Sequence, residues 1–228
     1  MNRNYLIAGA SSATAMALAA ILKAEGDTTI ALTTKPSLNG YDQVHPVEKY
    51  ETEFLPPITE PLHGLVYFPG TINLGPFARM KKETFQSDFL INALGAALVT
   101  QKYLPNLKEG QGSVVYISSV AAQTGFTFHS SVSMAKAALE GLVVALSAEL
   151  APSIRVNAIA PSLMQTPLAE KFLSTSEKAE MARSRNPLKK IGSPSDIAEL
   201  AAFLLSSRSS WITGQVIAAD GGANRIKQ

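Results

Sequence analysis

Short apolar runs alternate with helical patterns along most of the chain. The runs that indicate strands are 5–10, 28–33, 64–70, 114–117, 154–161 and 215–220. Helical periodicity occupies 13–24, 84–104, a segment that ends near 150, and the residues after 194. Buried strands that alternate with helices predict an α/β fold with a doubly wound parallel sheet, in a single domain over residues 1–228.

The segment from Gly40 to His63 breaks this alternation. It contains four prolines and has no helical period. We expect a strand somewhere within 44–50, followed by a loop, because proline disfavours both helix interiors and central strands.

Composition narrows the possible partners. Of the 228 residues, 46% are hydrophobic and 17% are charged, and the net charge is +2. This balance predicts a compact domain that binds neither nucleic acid nor a membrane. The chain has no cysteine, and its three histidines lack metal-ligand spacing, so we expect no metal. The apolar run at the amino terminus is too short for a signal peptide, and we expect no run to reach the length of a membrane span. A cytoplasmic location is therefore expected.

The first strand, turn and helix indicate a nucleotide site. The turn reads Gly9-Ala10-Ser11-Ser12 and leads into the helix at Ala13. Backbone N–H groups at such a helix start bind phosphate, and Ser11 and Ser12 can also donate to it. The pattern predicts dinucleotide binding at this turn.

The stretch from Ile117 to Glu140 holds the main candidate chemistry. Ser119 follows the apolar strand 114–117, where open α/β sheets place their ligands. Lys136 lies in the apolar run Met-Ala-Lys-Ala-Ala-Leu, and its ammonium needs a polar partner if it is buried. The residues alone leave open that Lys136 is a surface lysine on an amphipathic helix.

This stretch resembles the active-site segment of the short-chain dehydrogenases/reductases. That family has a strand ending in serine and then Tyr-x-x-x-Lys at the start of a long helix. Ser119 stands thirteen residues before Val132 and Lys136 four residues after it, so valine occupies the tyrosine position. The family's Gly-x-x-x-Gly-x-Gly reads Gly9-Ala-Ser-Ser-Ala-Thr-Ala here. The resemblance is strongest over 112–222 and weakest over 36–63.

The resemblance implies a Rossmann-type fold and a role for each matching residue. Ser119 orients a carbonyl oxygen, Lys136 binds the nicotinamide ribose, and Asn92 kinks its helix and binds a water that leads to the lysine. No acidic residue ends the second strand, and Lys35 follows it, which favours NADP(H) over NAD(H). The residues implied in cofactor binding are Gly9, Ser11, Ser12, Lys35, Gly70, Lys136, Pro161 and Thr166.

His129 is a candidate substitute for the missing tyrosine. It lies seven residues before Lys136, a spacing that is similar to the Tyr-x-x-x-x-x-x-Lys arrangement of divergent enoyl-acyl-carrier-protein reductases. A histidine there can protonate an enolate or carbonyl oxygen. An ordinary loop histidine is the other interpretation.

Two functions from different classes follow from these residues. The first is an NADP(H)-dependent oxidoreductase that transfers hydride to a carbonyl or a conjugated enone or enoyl substrate. The second is a catalytically silent relative that binds nucleotide and acts by recognition or assembly. The resemblance also implies a small-molecule substrate, a mobile lid at about 163–190, and a homotetramer or homodimer.

Overall fold

Seven parallel strands form one sheet in the computed structural model, which describes residues 2–226. Their order across the sheet is β3-β2-β1-β4-β5-β6-β7. The strands are β1 (Asn4–Ala8), β2 (Thr28–Thr33), β3 (Gln43–Pro46), β4 (Gly64–Tyr67), β5 (Ser113–Ile117), β6 (Arg155–Pro161) and β7 (Val216–Ala219). The order reverses direction next to β1, which confirms the predicted Rossmann-type doubly wound sheet. Positions 1 and 228, the ends of the predicted domain, lie outside the described residues.

Helices cover both faces of the sheet. They are α1 (Ala13–Ala24), α2 (Lys82–Phe89), α3 (Gly95–Lys102), α4 (Leu104–Glu109), α5 (Ser130–Leu150), α6 (Ser176–Arg185) and α7 (Pro194–Leu205). A π-helical turn, Leu90–Leu94, joins α2 to α3. Helices α1 and α7 pack together on one face, and α2, α3 and α5 lie on the other.

Alternate residues of each strand enter two separate hydrophobic cores. In β1, Leu6 and Ala8 belong to the core that includes α3 and α5, whereas Tyr5 and Ile7 belong to the core under α1 and α7. Successive side chains of a strand point to opposite faces, so a sheet covered on both sides needs apolar residues at every position. This explains why the sequence shows continuous apolar runs.

Several predicted boundaries differ from the structure. The helix expected over 84–104 begins at Lys82 and is interrupted by the π-helical turn around Asn92. The first strand ends at Ala8 because Gly9 turns the chain. The strand expected within 44–50 is β3, and the segment 47–63 contains one short 3₁₀ turn, Thr52–Phe54, as its regular structure.

Helix α5 corrects the expectation that no segment reaches the length of a membrane span. By length and composition this 21-residue helix meets that criterion. However, one side of α5, including Val132, Ala135, Leu139 and Val143, is buried in the protein. A buried side of this kind is typical of the core helix of an α/β protein.

The Arg155 guanidinium ties β6 to the end of α7. Its Nη1 donates to the carbonyl oxygens of Ser209 and Ile212 at 2.9 and 3.2 Å. Its Nη2 donates to those of Leu204 and Ser206 at 2.9 and 3.1 Å. Each of these four carbonyl oxygens also accepts from another donor, so the guanidinium adds a bond to each of them.

We expect Arg155→Met to lower the free energy of unfolding by about 1–3 kcal/mol, because it removes one hydrogen bond from each of four carbonyl groups. Urea denaturation followed by circular dichroism measures the change. Arg185→Met on the exposed face of α6 is the matched control and should shift the free energy by less than about 0.5 kcal/mol. Equal effects of the two substitutions would contradict the assigned role.

Candidate functional site

A cleft with a volume of about 690 Å³ opens beside the carboxyl ends of β1 and β4. Its walls come from four parts of the chain, residues 11–14, 48–51, 67–71 and 166–168, together with Gly9 and Ile117. The order of strands reverses at β1 and β4, and doubly wound sheets bind their ligands at this reversal.

Gly9 forms the tight turn at the edge of the cleft. Its φ is +73°, and a Cβ atom there would lie 2.8 Å from the ring of Pro69. The N–H of Gly9 points to Leu32 O and Tyr50 Oη, each at 3.0 Å. The turn therefore requires glycine, and it packs against β2 and the segment 48–51.

The start of α1 leaves donors available for an anion. The Ser12 Oγ accepts from the Ala15 N–H at 3.1 Å, and so caps the helix. The N–H groups of Ala13 and Thr14 have no acceptor among residues 2–226. Ser11, Ser12, Ala13 and Thr14 all line the cleft. Free amides at a helix start, next to serine hydroxyls, fit a phosphate group.

Lys35 is exposed and does not line the cleft. Its backbone N–H donates to Thr33 Oγ1 at 3.0 Å, which fixes the chain after β2. The neighbouring Thr34 does line the cleft, and so does Lys49. The end of β2 therefore carries the hydroxyl groups of Thr33 and Thr34, followed by Lys35, and has no carboxylate.

Lys136 is buried beneath the cleft. It is 7% exposed, and its Nζ donates to Ile117 O, at the end of β5, at 2.6 Å. Burial lowers the pKa of Lys136 to about 8, and the negative charge of Asp88 opposes that shift. Lys136 is therefore not the surface lysine that the apolar run left possible.

Asn92 and Gly70 lie next to this lysine. Asn92 is fully buried in the π-helical turn, and its Oδ1 accepts from the Thr71 N–H at 3.2 Å. A Cβ atom on Gly70 would come within 3.1 Å of Asn92 Oδ1 and 3.5 Å of Lys136 Nζ. The structure thus brings Gly70, Asn92 and Lys136 together, as their places in the sequence pattern imply.

Ser119 and Val132 stand near the lysine in the chain but line neither this cleft nor the second cavity described below. The Ser119 Oγ accepts from the Ala121 N–H at 3.1 Å, so it caps the short 3₁₀ turn Val120–Ala122. Val132 is 3% exposed and lies one helical turn before Lys136. Its isopropyl group offers no proton at the position where the family pattern has a phenol.

His129 lies in a different cavity. That cavity has a volume of about 360 Å³, and its walls include Phe77, Phe126 and Phe128. His129 Nδ1 is 2.8 Å from Thr127 O, and a carbonyl oxygen only accepts, so Nδ1 carries the hydrogen and Nε2 is the free nitrogen. The two cavities share no lining residue, so the structure does not place His129 beside Gly70 and Thr166.

The remaining predicted positions lie beyond β6. Pro161 is buried at the end of that strand, and Thr166 lines the cleft. The segment 163–190 contains a 3₁₀ stretch, Pro167–Phe172, and α6. Met164 pairs with Gly192 at its base, so both ends of the segment are held close together.

Three polar residues of this region were absent from the sequence predictions. Asp88 and Thr71 form hydrogen bonds around Asn92, and the Tyr50 hydroxyl contacts the first turn. Asp88 stands four residues before Asn92, so the two share a helix face, and that spacing was the available signal. Among residues 2–226 no group of His, Cys, Asp or Glu is placed to hold a metal ion.

Comparison with known proteins agrees with this geometry. A family model described as enoyl-(acyl carrier protein) reductase matches residues 53–224. Two relatives are the 3-oxoacyl-[acyl-carrier-protein] reductase FabG of Thermotoga maritima, 41% identical over 63% of this chain, and the uncharacterized oxidoreductase YmfI of Bacillus subtilis, 34% identical over 72%. The matched parts span 58% and 68% of those proteins, respectively.

A solved structure extends the similarity over nearly the whole chain. A short-chain type dehydrogenase/reductase from Mycobacterium ulcerans superposes with a TM-score of 0.89 and 28% identity, over 98% of this chain and 90% of that protein. The sheet order, the match over 53–224 and these relatives agree with one another. The chain therefore belongs to the short-chain dehydrogenase/reductase family.

Proposed function

We propose that the protein is an NADP(H)-dependent oxidoreductase that reduces a carbonyl or a conjugated enone or enoyl substrate. The observation that carries this proposal is the buried Lys136, held by Ile117 O and next to Gly70, two residues that line the cleft of about 690 Å³. A lysine with a lowered pKa in such a place needs a functional reason, because burying an ammonium is unfavourable.

The residues of the cleft fit a dinucleotide. The free N–H groups of Ala13 and Thr14, with Ser11 and Ser12, would hold the pyrophosphate, and Lys136 would donate to the nicotinamide ribose. When bound, the cofactor supplies the hydride. Gly9 and Gly70 keep the backbone close to the cleft where a Cβ atom would crowd Pro69 or Asn92. Pro161 and Thr166 would border the nicotinamide end.

The choice of NADP(H) rests on the end of β2. A carboxylate at this place accepts hydrogen bonds from the adenosine ribose, and Thr33 and Thr34 cannot replace it. Lys35 has no hydrogen bond from its Nζ among the described residues and is exposed, so its long side chain is available to a 2′-phosphate. Lys49 also lines the cleft, together with Glu48 and Glu51, so the preference rests on Lys35.

A catalytically silent nucleotide-binding protein is the second candidate. It is favoured by Val132, which is 3% exposed and has no proton to give. Ser119 also uses its oxygen as a helix cap and lines neither cavity. In this alternative, the cleft binds nucleotide and the protein acts by recognition or assembly.

The donor that replaces tyrosine is His129, Lys136 or a bound water. His129 lines the smaller cavity, and its Nδ1 is bonded to Thr127 O. Lys136 has a pKa near neutral, so it exchanges protons readily at working pH. A small-molecule substrate and a cytoplasmic location complete the proposal, and the segment 163–190 would close over the bound substrate.

We expect NADPH to bind more tightly than NADH, because β2 ends without a carboxylate and Lys35 follows it. Lys35→Ala should reduce that preference about tenfold, the effect of one charge-assisted hydrogen bond. Titration of both reduced cofactors by fluorescence measures the dissociation constants. Lys102→Ala, an exposed lysine on α3, is the control. Equal dissociation constants of the wild type for NADH and NADPH would contradict the proposed preference.

If His129 is the donor, His129→Phe should lower the rate of reduction about 100- to 10,000-fold while NADPH binding stays within a few-fold. His45 lines neither cavity, so His45→Phe is the control and should leave the rate of reduction unchanged. Val132→Tyr should add a phenol one helical turn from Lys136 and raise the rate with simple ketones. NADPH oxidation at 340 nm follows each reaction.

The outcomes of these assays separate the two candidate functions. Full activity of His129→Phe would assign the donor to water or Lys136. The silent nucleotide-binding protein is the better description if three results are found together. The wild type binds NADPH, it oxidises NADPH with neither ketones nor conjugated enones, and Val132→Tyr does oxidise NADPH with them.

We expect the protein to form a homodimer or homotetramer. Met134 and Val144 on α5, and Phe89 and Leu94 on the segment 82–102, are large apolar residues between 39% and 59% exposed. Large exposed apolar side chains on adjacent helices are typical of an interface between copies. Light scattering at micromolar concentration gives the mass, and Val144→Glu should shift it toward the monomer. A monomeric wild type would refute this expectation.

A further inference from the structure

A fully buried carboxylate lies behind the cleft. Asp88, in the last turn of α2, accepts hydrogen bonds from Thr71 Oγ1 at 2.5 Å and Asn73 Nδ2 at 2.7 Å. Its second oxygen accepts from Ser131 Oγ at 2.6 Å. One side chain therefore joins the segment after β4, helix α2 and the start of α5.

Thr71 connects this carboxylate with the cleft wall. Its hydroxyl donates to Asp88 and accepts from Asn92 Nδ2 at 2.9 Å, and its N–H donates to Asn92 Oδ1 at 3.2 Å. Asn92 Nδ2 also donates to Asp88 O at 2.9 Å. These bonds fix both the backbone and the side chain of Thr71, which lines the cleft.

Asp88 has no cationic partner within ion-pair distance among residues 2–226. A buried carboxylate held by neutral donors contributes less stability than an apolar residue of similar size would. Asp88 is hydrogen-bonded to Asn92, and Asn92 lies with Lys136 around Gly70, so the carboxylate stands near the ammonium and its charge favours the ammonium form. The elements around Lys136 are α2, the turn 90–94 and the ends of β4 and β5. Among residues 2–226, Asp88 is the one charged group on these elements that raises the pKa of Lys136. On α5 itself, Glu140 binds Ser118 and Gln123.

We propose that Asp88 is a positioning residue of the nucleotide cleft: its carboxylate fixes Thr71 in the cleft wall and supplies the negative field at Lys136. Asp88 lines neither cavity, so it acts through Thr71 and Lys136 and does not touch the ligand. The part of this inference that concerns nucleotide binding rests on the proposed function. The part that concerns Lys136 does not depend on it.

The first experiment measures nucleotide affinity in Asp88→Asn, Thr71→Val and the double variant. Each single substitution should weaken NADPH binding about tenfold, the effect of one hydrogen bond to a charged group. The double variant should bind NADPH within about threefold of the single variant that binds it less tightly, because each single substitution already disrupts the hydrogen bond between Thr71 and Asp88. Fully additive losses, or a Thr71→Val protein that binds like the wild type, would overturn the role in the cleft.

The second experiment measures the titration of Lys136 without nucleotide. Amines are labelled with acetic anhydride across pH 6–11, and mass spectrometry gives the labelling midpoint of each lysine. We expect a Lys136 midpoint near pH 8 in the wild type, and about one unit lower in Asp88→Asn, because loss of a nearby negative charge disfavours the ammonium. Asp88→Glu should restore the midpoint.

Ser131→Ala is the matched control, since it removes one hydrogen bond to Asp88 and leaves the charge. Its Lys136 midpoint should stay within about 0.3 units of the wild type, because the opposite charge remains. An unchanged midpoint in folded Asp88→Asn, or equal shifts in both variants, would overturn the electrostatic role. If Asp88→Asn does not fold, Thr71→Val decides: weaker NADPH binding with an unchanged midpoint supports the proposal, and wild-type binding overturns it.

Failure of the proposed function has a different signature. A wild-type protein that binds neither NADPH nor NADH refutes the nucleotide function and with it the role of Thr71. The titration of Lys136 still decides whether Asp88 sets its charge.

Discussion

The burial of Lys136 constrains the rest of the site. An ammonium that is 7% exposed needs a hydrogen-bond acceptor, and Ile117 O at the end of β5 provides it. This bond joins α5 to the end of β5, next to the cleft residue Ile117. On the other side of the lysine, Asn92 limits the space, because a Cβ atom on Gly70 would come within 3.1 Å of Asn92 Oδ1.

Valine at the tyrosine position of the family pattern does not affect the contacts that hold α5 in place. Val132 is on the buried face of α5, and the helix around it is held at Ser131 by Asp88 and at Lys136 by Ile117 O. Both contacts are made by residues other than Val132. A valine at position 132 therefore leaves both of these contacts of α5 in place.

The sequence predicted the sheet well, because strands buried on both faces appear as apolar runs that end at Gly9 or Ser118. Lys136, Asn92 and Gly70 were identified from the family pattern, and the structure places them together. Asp88 was missed because an acidic residue in a helix usually lies on a solvated face, and only the fold shows the hydroxyls of Thr71 and Ser131 converging on it. The π-helical turn around Asn92 depends on tertiary hydrogen bonds, such as that from Tyr67 Oη to Ile91 O, which no local pattern reveals.

The two cavities limit where a proton can come from. The proton must reach the substrate that accepts the hydride, and Gly70 and Thr166, at the proposed nicotinamide end, line the larger cleft. His129 lines the smaller cavity, which shares no lining residue with the larger cleft. A histidine donor therefore requires either a substrate that spans both cavities or a movement of the segment 120–129. Lys136 and a bound water require neither, because Lys136 already lies behind Gly70 and Ile117, two residues that line the cleft. Of the three donors, His129 is therefore the one that needs an additional condition. The conformation of the segment 120–129 decides whether that condition is met.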